Sequence, residues 1–359
     1  MQRKNKTISF KGQKIYIGID VHKKSWTITI IVGDVVYKTF TQDPDAQQLY
    51  RYLQKNFPGG TYYSVYEAGF CGFSVHRALE QCGVNNIIVN PADVPTTDKD
   101  KRQKEDRRDS RKLARSLRNE ELEGIYIMSQ KMEELRSLVR YRKSVVSELG
   151  KHKNRIKSLL YFRGVKVPRE LDTASRYWSG KFIEWLKGVE SVTDHGNTVL
   201  KEILDTVTFL RAKLLKINRQ FRFLAANSDY SAMIKRLRSV PGIGLITALT
   251  LLSELENIKR FKGLDKLSSY VGLIPTTNSS GEKEITGRIT RRANKPLRAS
   301  LIEAAWVAIR HDPALTLKYS ELRSRMEPNE SIVRIAKKLL NRIRYVLLNE
   351  QEYVSSVVA

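Results

Sequence analysis

Cysteine is almost absent from this chain. Cys71 and Cys82 are the two present, too few for a cysteine-based zinc site or a disulfide framework, and they fit a reducing, cytoplasmic setting. Histidine is also sparse. The five histidines are scattered and show no metal-ligand spacing. No apolar run approaches the roughly 18 residues of a membrane span, and no signal peptide is visible, so a membrane partner is not expected. No phosphate-cradling glycine loop of the Walker type occurs, which argues against ATP use. Acidic residues are few: 38 Asp and Glu stand against 64 Lys and Arg, a formal net charge of +26. A field that positive favours a polyanion, and nucleic acid is the first candidate. The 359 residues, 41% of them hydrophobic, suffice for two or three domains with real cores.

What is present is organised around the stretch from Tyr16 to Ile30. Ile15, Ile17 and Ile19 alternate with Tyr16, Gly18 and Asp20, and Ile28 and Ile30 alternate with Thr27 and Thr29. That period of two predicts two strands, with Asp20 on the face opposite the isoleucines. An isolated Asp at such a place is most often an exposed turn residue. It becomes a candidate metal ligand if the chain supplies partner carboxylates. His22, two residues on, reads as a surface group or a supporting neighbour of Asp20.

Strands are expected at about 14–21, 25–32 and 35–41, with Gly33-Asp34 as a tight turn. A helix capped by Asp43 or Asp45 follows to Asn56, then Pro58-Gly59-Gly60 breaks the chain. A strand over 61–66 places Glu67 at its C-terminal end. A helix to about Cys82 and a buried strand from Asn85 to Val89 complete a βββαβαβα order, which predicts a mixed sheet with helical cover. Lys99 to Arg118 holds ten Lys or Arg and four acids. Most of such a run is ordinarily a solvated face. Leu113, Ala114 and Leu117 give it an apolar stripe, so a helix is expected from about Arg107. Asp106 and Asp109 then lie on one helical face, roughly 4.5 Å apart along the axis. Two carboxylates about 4 Å apart repel by roughly 4 kcal/mol at an effective dielectric of about 20, so four together call for a cation. Mg²⁺ takes such hard oxygen ligands. Arg107, Arg108 and Arg111 beside them can bind nucleic-acid phosphates.

Ile17-Gly-Ile-Asp20-Val-His-Lys, Tyr66-Glu67-Ala-Gly69, Val89-Asn-Pro91 and Asp106-Arg-Arg-Asp109-Ser-Arg-Lys-Leu-Ala, in this order, resemble the DEDD transposases of bacterial insertion sequences, of the type guided by a bridge RNA. The resemblance covers roughly residues 14 to 310. It implies an N-terminal ribonuclease-H-like (RuvC-like) nuclease domain over residues 1–125, with Asp20, Glu67, Asp106 and Asp109 as the four metal ligands. Ser110 departs from the pattern, standing where the family often has Ala.

From Ser129 to Arg163 and from about Thr193 to Leu224 the apolar spacing is helical, and no Pro occurs between Asp98 and Val167. Two long amphipathic helices over residues 126–228 read as an antiparallel coiled-coil arm. The plainer alternative is a helical hairpin packed on the body. The resemblance implies dimerisation through this arm, with a tetramer in the active complex. Trp178 and Trp185 are expected to be buried where the two helices are joined. Lys151, Lys153, Arg155 and Lys157 form a basic outer face.

Residues 229–359 read as a third, mostly helical domain. Leu237 to Ala248, with Gly242 and Gly244, resembles a helix–hairpin–helix, whose glycines and free amides approach a phosphate. A plain helix–helix corner is the alternative. Thr276 to Lys283 is small and polar, ordinarily a loop. A short hairpin-like stretch, Ile285 to Ile289, and the cations Lys283, Arg288, Arg291, Arg292 and Lys295 follow. A loop hydroxyl beside arginines can attack a phosphodiester if it is activated. The resemblance makes Ser280 that nucleophile, with Ser279 the fallback. The tail is basic and amphipathic, with a cationic face suited to nucleic acid.

The fold class expected is therefore α/β plus α. The expected function is a bacterial, nucleoid-associated DNA transposase that uses Mg²⁺ at the four carboxylates and Ser280 as nucleophile. Its partners would be donor and target DNA and, by the resemblance, a structured guide RNA. Two rivals remain at this stage. A Mg²⁺-dependent junction resolvase or nuclease would share the carboxylates but form no covalent adduct, and a non-catalytic nucleic-acid scaffold would need neither.

Overall fold

A computed structural model describes residues 9–95, 105–280 and 283–355, with side chains omitted for 277–280 and 283–286. Two compact units divide at Met128/Ser129.

The first unit is built on a five-stranded mixed sheet. Its strands are β1 (Lys14–Val21), β2 (Trp26–Val32), β3 (Val35–Gln42), β4 (Thr61–Glu67) and β5 (Asn85–Val89), in the order β3-β2-β1-β4-β5. β1, β2 and β3 form an antiparallel meander. β4 lies parallel to β1, and β5 parallel to β4. Gly33 makes the β2–β3 turn at φ 57°, a backbone region open to glycine. Helix α1 (Ala46–Asn56) is capped by Asp45, whose side chain accepts from the Gln47 amide.

The two faces of the sheet are covered by different helices. Ile15, Ile17 and Ile19 are fully buried. On their face Tyr62, paired with Ile15, meets Tyr50 of α1 edge-on. The Tyr66 hydroxyl accepts from the His76 amide of α2 (Ser74–Gln81). The opposite face carries α3 (Asp106–Arg118), which starts at Asp106 itself. Leu113 of α3 packs into a cluster with Val65, Val89 and Val94. Against β1 the helix comes close enough that a Cβ on Gly18 would lie 2.0 Å from the Ser110 carbonyl oxygen and 2.5 Å from the Ala114 nitrogen.

Among the described residues the second unit is helical apart from one hairpin. The long helices α4 (Gln130–Phe162) and α6 (Asp194–Asn227) are capped by Ser129 and Thr193. They run antiparallel. Arg142, midway along α4, donates to Asn218 late in α6, and Arg163 at the end of α4 donates to the Gly196 carbonyl at the start of α6. Between them lies α5 (Gly180–Lys187). Here the expectation for the tryptophans needs correction. Trp178 and Trp185 are half-buried, and the fully buried ring is Phe182, with Tyr177, Trp178 and Trp185 around it at centroid distances of 4.9, 5.2 and 5.4 Å. A large amphipathic ring covers a smaller one while keeping its own edge in water.

The remaining helices are α7 (Ser231–Ser239), α8 (Leu245–Leu255), α9 (Leu264–Val271), α10 (Lys295–Ala308), α11 (Pro313–Arg323) and α12 (Pro328–Asn349). Helix α8 is the core of this group and is buried along almost its whole length. The polar stretch expected as a loop is instead extended. β6 (Pro275–Ser280) pairs antiparallel with β7 (Lys283–Ile289). β-Branched Thr276 and Thr277 face a strand containing Ile285, Thr286 and Ile289, and such residues favour an extended chain.

Candidate functional site

The strand register sets out the first half of the site. In the parallel β1–β4 pair Gly18 stands opposite Val65 and Ile19 opposite Tyr66. Asp20 and Glu67 are each the next residue along, at the C-terminal ends of neighbouring strands and on the face that carries α3. Strand ends on one side of an open α/β sheet are where ligands commonly bind.

The second half comes from α3. Because the helix rests on Gly18, its N-terminal turn lies over the end of β1. His22 Nε2 is 3.1 Å from Asp20 Oδ2 and 3.5 Å from Asp106 Oδ1. One ligand atom each from Asp20, His22 and Asp106 falls within 4.8 Å of the others. Asp109, one turn along, is near enough for its charge to act on Asp20, and its own side chain pairs with Lys112 at 3.7 Å. Burial pushes the Asp20 carboxyl above the usual carboxylate range. His22 opposes this, while Asp106 and Asp109 add to it. The donor set is rich in hard carboxylate oxygens, one of them partly desolvated and crowded by like charge, which is what a divalent cation requires.

His22 does neighbour Asp20, as one of the two readings of the sequence has it, and it also reaches Asp106, so that it bridges two carboxylates. The available signal was its position two residues after Asp20, but the second contact depends on where α3 docks. Ser110 is fully buried, and its hydroxyl lies 2.9 Å from Thr29 Oγ1, tying α3 to β2.

The cations expected to bind phosphate fall into two groups. Arg107 and Arg111 are exposed on α3, and Arg108 pairs with Glu105 at 3.3 Å. In the second unit Arg288, Arg291, Arg292 and Lys295 are exposed along the exit of the β6–β7 hairpin. The side chains of Ser279, Ser280 and Lys283 lie outside the described residues. Backbone register sets Ser279 opposite Glu284 and Ser280 opposite Lys283. The two glycines before α8 differ. Gly242 sits at φ 83°, where a Cβ would meet the Ala304 carbonyl at 2.2 Å, so it lets α10 approach. Gly244 is exposed, with open space where a Cβ would be, at the N-terminus of α8.

The base of the hairpin is held by a buried carboxylate. Glu254, 1% exposed, accepts from Arg140 of α4 and from Asn294 Nδ2 at 2.8 Å, and Asn294 caps α10 directly after the arginine run.

Comparison with known proteins supplies the family. Residues 17–162 match the DEDD-type Transposase family of IS110 elements, and residues 234–320 match the family described as Transposase IS116/IS110/IS902 family. A protein of Sinorhizobium fredii assigned as a transposase, y4qE, is 29% identical over 96% of this chain and 85% of its own length. The transposase for insertion sequence element IS1533 of Leptospira borgpetersenii is 25% identical over 82% of this chain and 85% of its own. The transposase for element IS1111A of Coxiella burnetii is 25% identical over 79% of this chain and 77% of its own. With both domains present in order, and relatives of this kind along most of its length, the chain belongs to the IS110/IS116/IS902 family of insertion-sequence transposases.

Proposed function

We propose that this transposase cuts and rejoins DNA through Ser280, with Asp20, Glu67, Asp106 and Asp109 holding Mg²⁺. The observation that carries the reading is the meeting of Asp20 and Asp106, bridged by His22, where α3 docks on the Gly18 face. Glu67 stands beside Asp20 by strand register, and Asp109 follows Asp106 by one helical turn. A bound divalent cation would neutralise phosphate charge and make attack on phosphorus easier.

The chain's own residues do the rest. Arg107 and Arg111 offer bidentate donors to the backbone phosphates of the DNA entering beside the carboxylates. In the second unit Arg288, Arg291, Arg292 and Lys295 gather phosphate charge next to the hairpin that bears Ser280. The Ser280 oxygen attacks phosphorus and displaces one sugar hydroxyl, which leaves a phosphoserine ester. The ester keeps the bond energy for the reverse attack that rejoins strands. Glu254 with Arg140 and Asn294 steadies the exit of that hairpin. Gly244, as the turn of a helix–hairpin–helix, offers the free amides of the α8 N-terminus to a further phosphate.

The antiparallel hairpin of α4 and α6 serves in this reading as a coiled-coil arm for homo-oligomerisation, between a nuclease part and a C-terminal part. Tyr161 and Phe162, 90% and 87% exposed at its end, support a protein partner there. A structured RNA that selects the donor and target sites completes the proposal. It rests on the bridge-RNA resemblance and on a net charge of +26, well suited to holding two nucleic acids.

The test is a covalent-adduct assay with labelled junction DNA, Mg²⁺ and RNA made from the element's flanking sequence, resolved on denaturing gels. The expected result is a protein–DNA adduct lost in both Ser280→Ala and Asp20→Ala. Mg²⁺-dependent cleavage without an adduct, unchanged by Ser280→Ala, would favour the nuclease alternative. Binding unaffected by either change, with no cleavage, would favour the scaffold.

A further inference from the structure

The second unit carries a cleft of about 500 Å³ bordered by α9, α11 and α12. Among the described residues six cations line it, Lys318, Arg325, Arg334, Lys337, Lys338 and Arg342, and no acidic side chain does. All but Lys318 lie beyond residue 320, where the match to the transposase family ends.

The six are not equally committed. Arg342 is held from behind by the buried Asp312, which also accepts from the Tyr353 hydroxyl at 2.7 Å, so its charge is spent on fixing the wall. Lys337 reaches Asp265 at 3.1 Å and Lys318 reaches Glu321 at 2.5 Å, both surface pairs that a stronger anion displaces readily. Among the described residues, Arg325, Arg334 and Lys338 make no ion pair at contact distance, though the exposed Glu321 carboxylate acts by its charge on Arg325 and Lys338. Arg334 and Lys338 are exposed and one turn apart on α12, about 6 Å along the axis. The opposite face of that helix is buried through Ile335, Leu339, Leu340 and Ile343, so the cationic row is mounted on a rigid support.

The geometry points to this cleft as a binding site for consecutive phosphates of a nucleic-acid backbone, built from residues other than those proposed for catalysis. Like charges crowded into a concave surface repel one another, and an ordered row of phosphates relieves that repulsion. A row of cations along one helix tracks a strand rather than enclosing a single small anion. The inference rests on the reading of the chain as one that handles nucleic acid, and it is independent of Ser280 and the four carboxylates.

The experiment uses the full chain without metal, so that no cleavage intervenes. Fluorescence anisotropy is measured over a salt series with a labelled DNA duplex, an RNA duplex and a single-stranded RNA of equal length. The cleft variant is Arg334→Glu with Lys338→Glu. The control is Lys201→Glu with Lys216→Glu, which makes the same change in net charge at exposed positions on α6. Arg334→Lys with Lys338→Arg keeps the cleft's charge. All positions changed are exposed, and thermal midpoints check the fold.

The cleft variant should bind at least tenfold more weakly than the control. Its salt slope should fall by about two relative to wild type, as expected when about two phosphate contacts are lost. The charge-keeping pair should bind as wild type does. A loss confined to DNA or to RNA supports the site and names its source, and a loss on all three probes supports a site that accepts either backbone. Equal affinity and slope for the cleft variant and the control overturns the inference and leaves the proposed chemistry standing. An absent Ser280 adduct beside an intact cleft effect overturns that chemistry and leaves the cleft standing.

Discussion

Arg140 donates Nε–H and Nη2–H to the two carboxylate oxygens of Glu254 at 2.8 and 2.9 Å. The arginine is half exposed, while the glutamate is almost completely enclosed on α8. Tyr270 and Asn294 close the network, the Tyr270 hydroxyl donating to the Glu254 carbonyl at 3.0 Å. The pair holds the Arg140 guanidinium above its usual range, chiefly through its hydrogen bond to Glu254. The start of the long hairpin is thereby joined to the residue that caps α10 at the exit of the serine-bearing strands.

Arg140→Ala should therefore destabilise the second unit by about 2–3 kcal/mol in urea unfolding, less than the full cost of breaking a wholly buried pair because Asn294 still serves Glu254. Arg140→Lys should recover part of the loss, since one charged hydrogen bond remains. Equal stability of wild type and Arg140→Ala would show that the pair does not hold these elements together.

Gly18→Ala tests the docking of α3. The added methyl would sit inside the contact distance of backbone atoms of Ser110 and Ala114, which cannot move aside as a side chain can. A cost of about 3 kcal/mol, the upper end for overpacking, is expected. Mg²⁺ binding at the proposed site, followed by calorimetry, should weaken as well, because Asp106 would be displaced from Asp20. A variant with wild-type stability and metal affinity would disprove the close approach.

Ser110→Ala should be mild. Its hydroxyl meets Thr29, but Thr29 keeps a second partner in Thr39 at 2.9 Å. A loss of about 1 kcal/mol or less is expected. A loss several times larger would mean that the α3–β2 hydroxyl pair, rather than the Gly18 contact, fastens the helix.

Tyr353 gives a pH signature. Burial and the hydrogen bond to Asp312 push its phenol from 10.0 up to about 12. The folded state thus favours the neutral phenol. The stability it contributes is present in full below pH 10 and is lost as pH rises from about 10 toward 12. The stability difference between wild type and Tyr353→Phe should accordingly shrink across that window, measured as urea midpoints at a series of alkaline pH values. A difference that stays constant through pH 12 would contradict the assignment.

Much of the first unit is legible along the chain. The alternation in β1 and β2 put Asp20 opposite the isoleucines, and the sheet has it there. The helices expected from Ser129 and from about Thr193 do begin there, and of the two caps offered for α1 it is Asp45 that serves, since caps act within three residues. The register of β4 against β1 was not legible, and that register is what sets Glu67 beside Asp20. The extended conformation of Thr276 to Ser280 was missed because small polar residues signal a loop locally, whereas pairing with β7 is decided by a partner strand.

By itself the sequence determined a strongly cationic chain, a meander followed by two further strands, two long helices, and four acids in a recognisable order. Those features depend on composition, periodicity and short-range capping, which neighbouring residues settle among themselves. Only the tertiary structure decided that α3 rests on Gly18, that His22 bridges Asp20 and Asp106, that Glu254 is buried against Arg140, and that six cations from α11, α12 and the turn between them line one cleft. The first three depend on the distance of closest approach between elements remote in sequence, set by a missing Cβ or a buried charge that must find its partner, and the cleft depends on how successive helices pack.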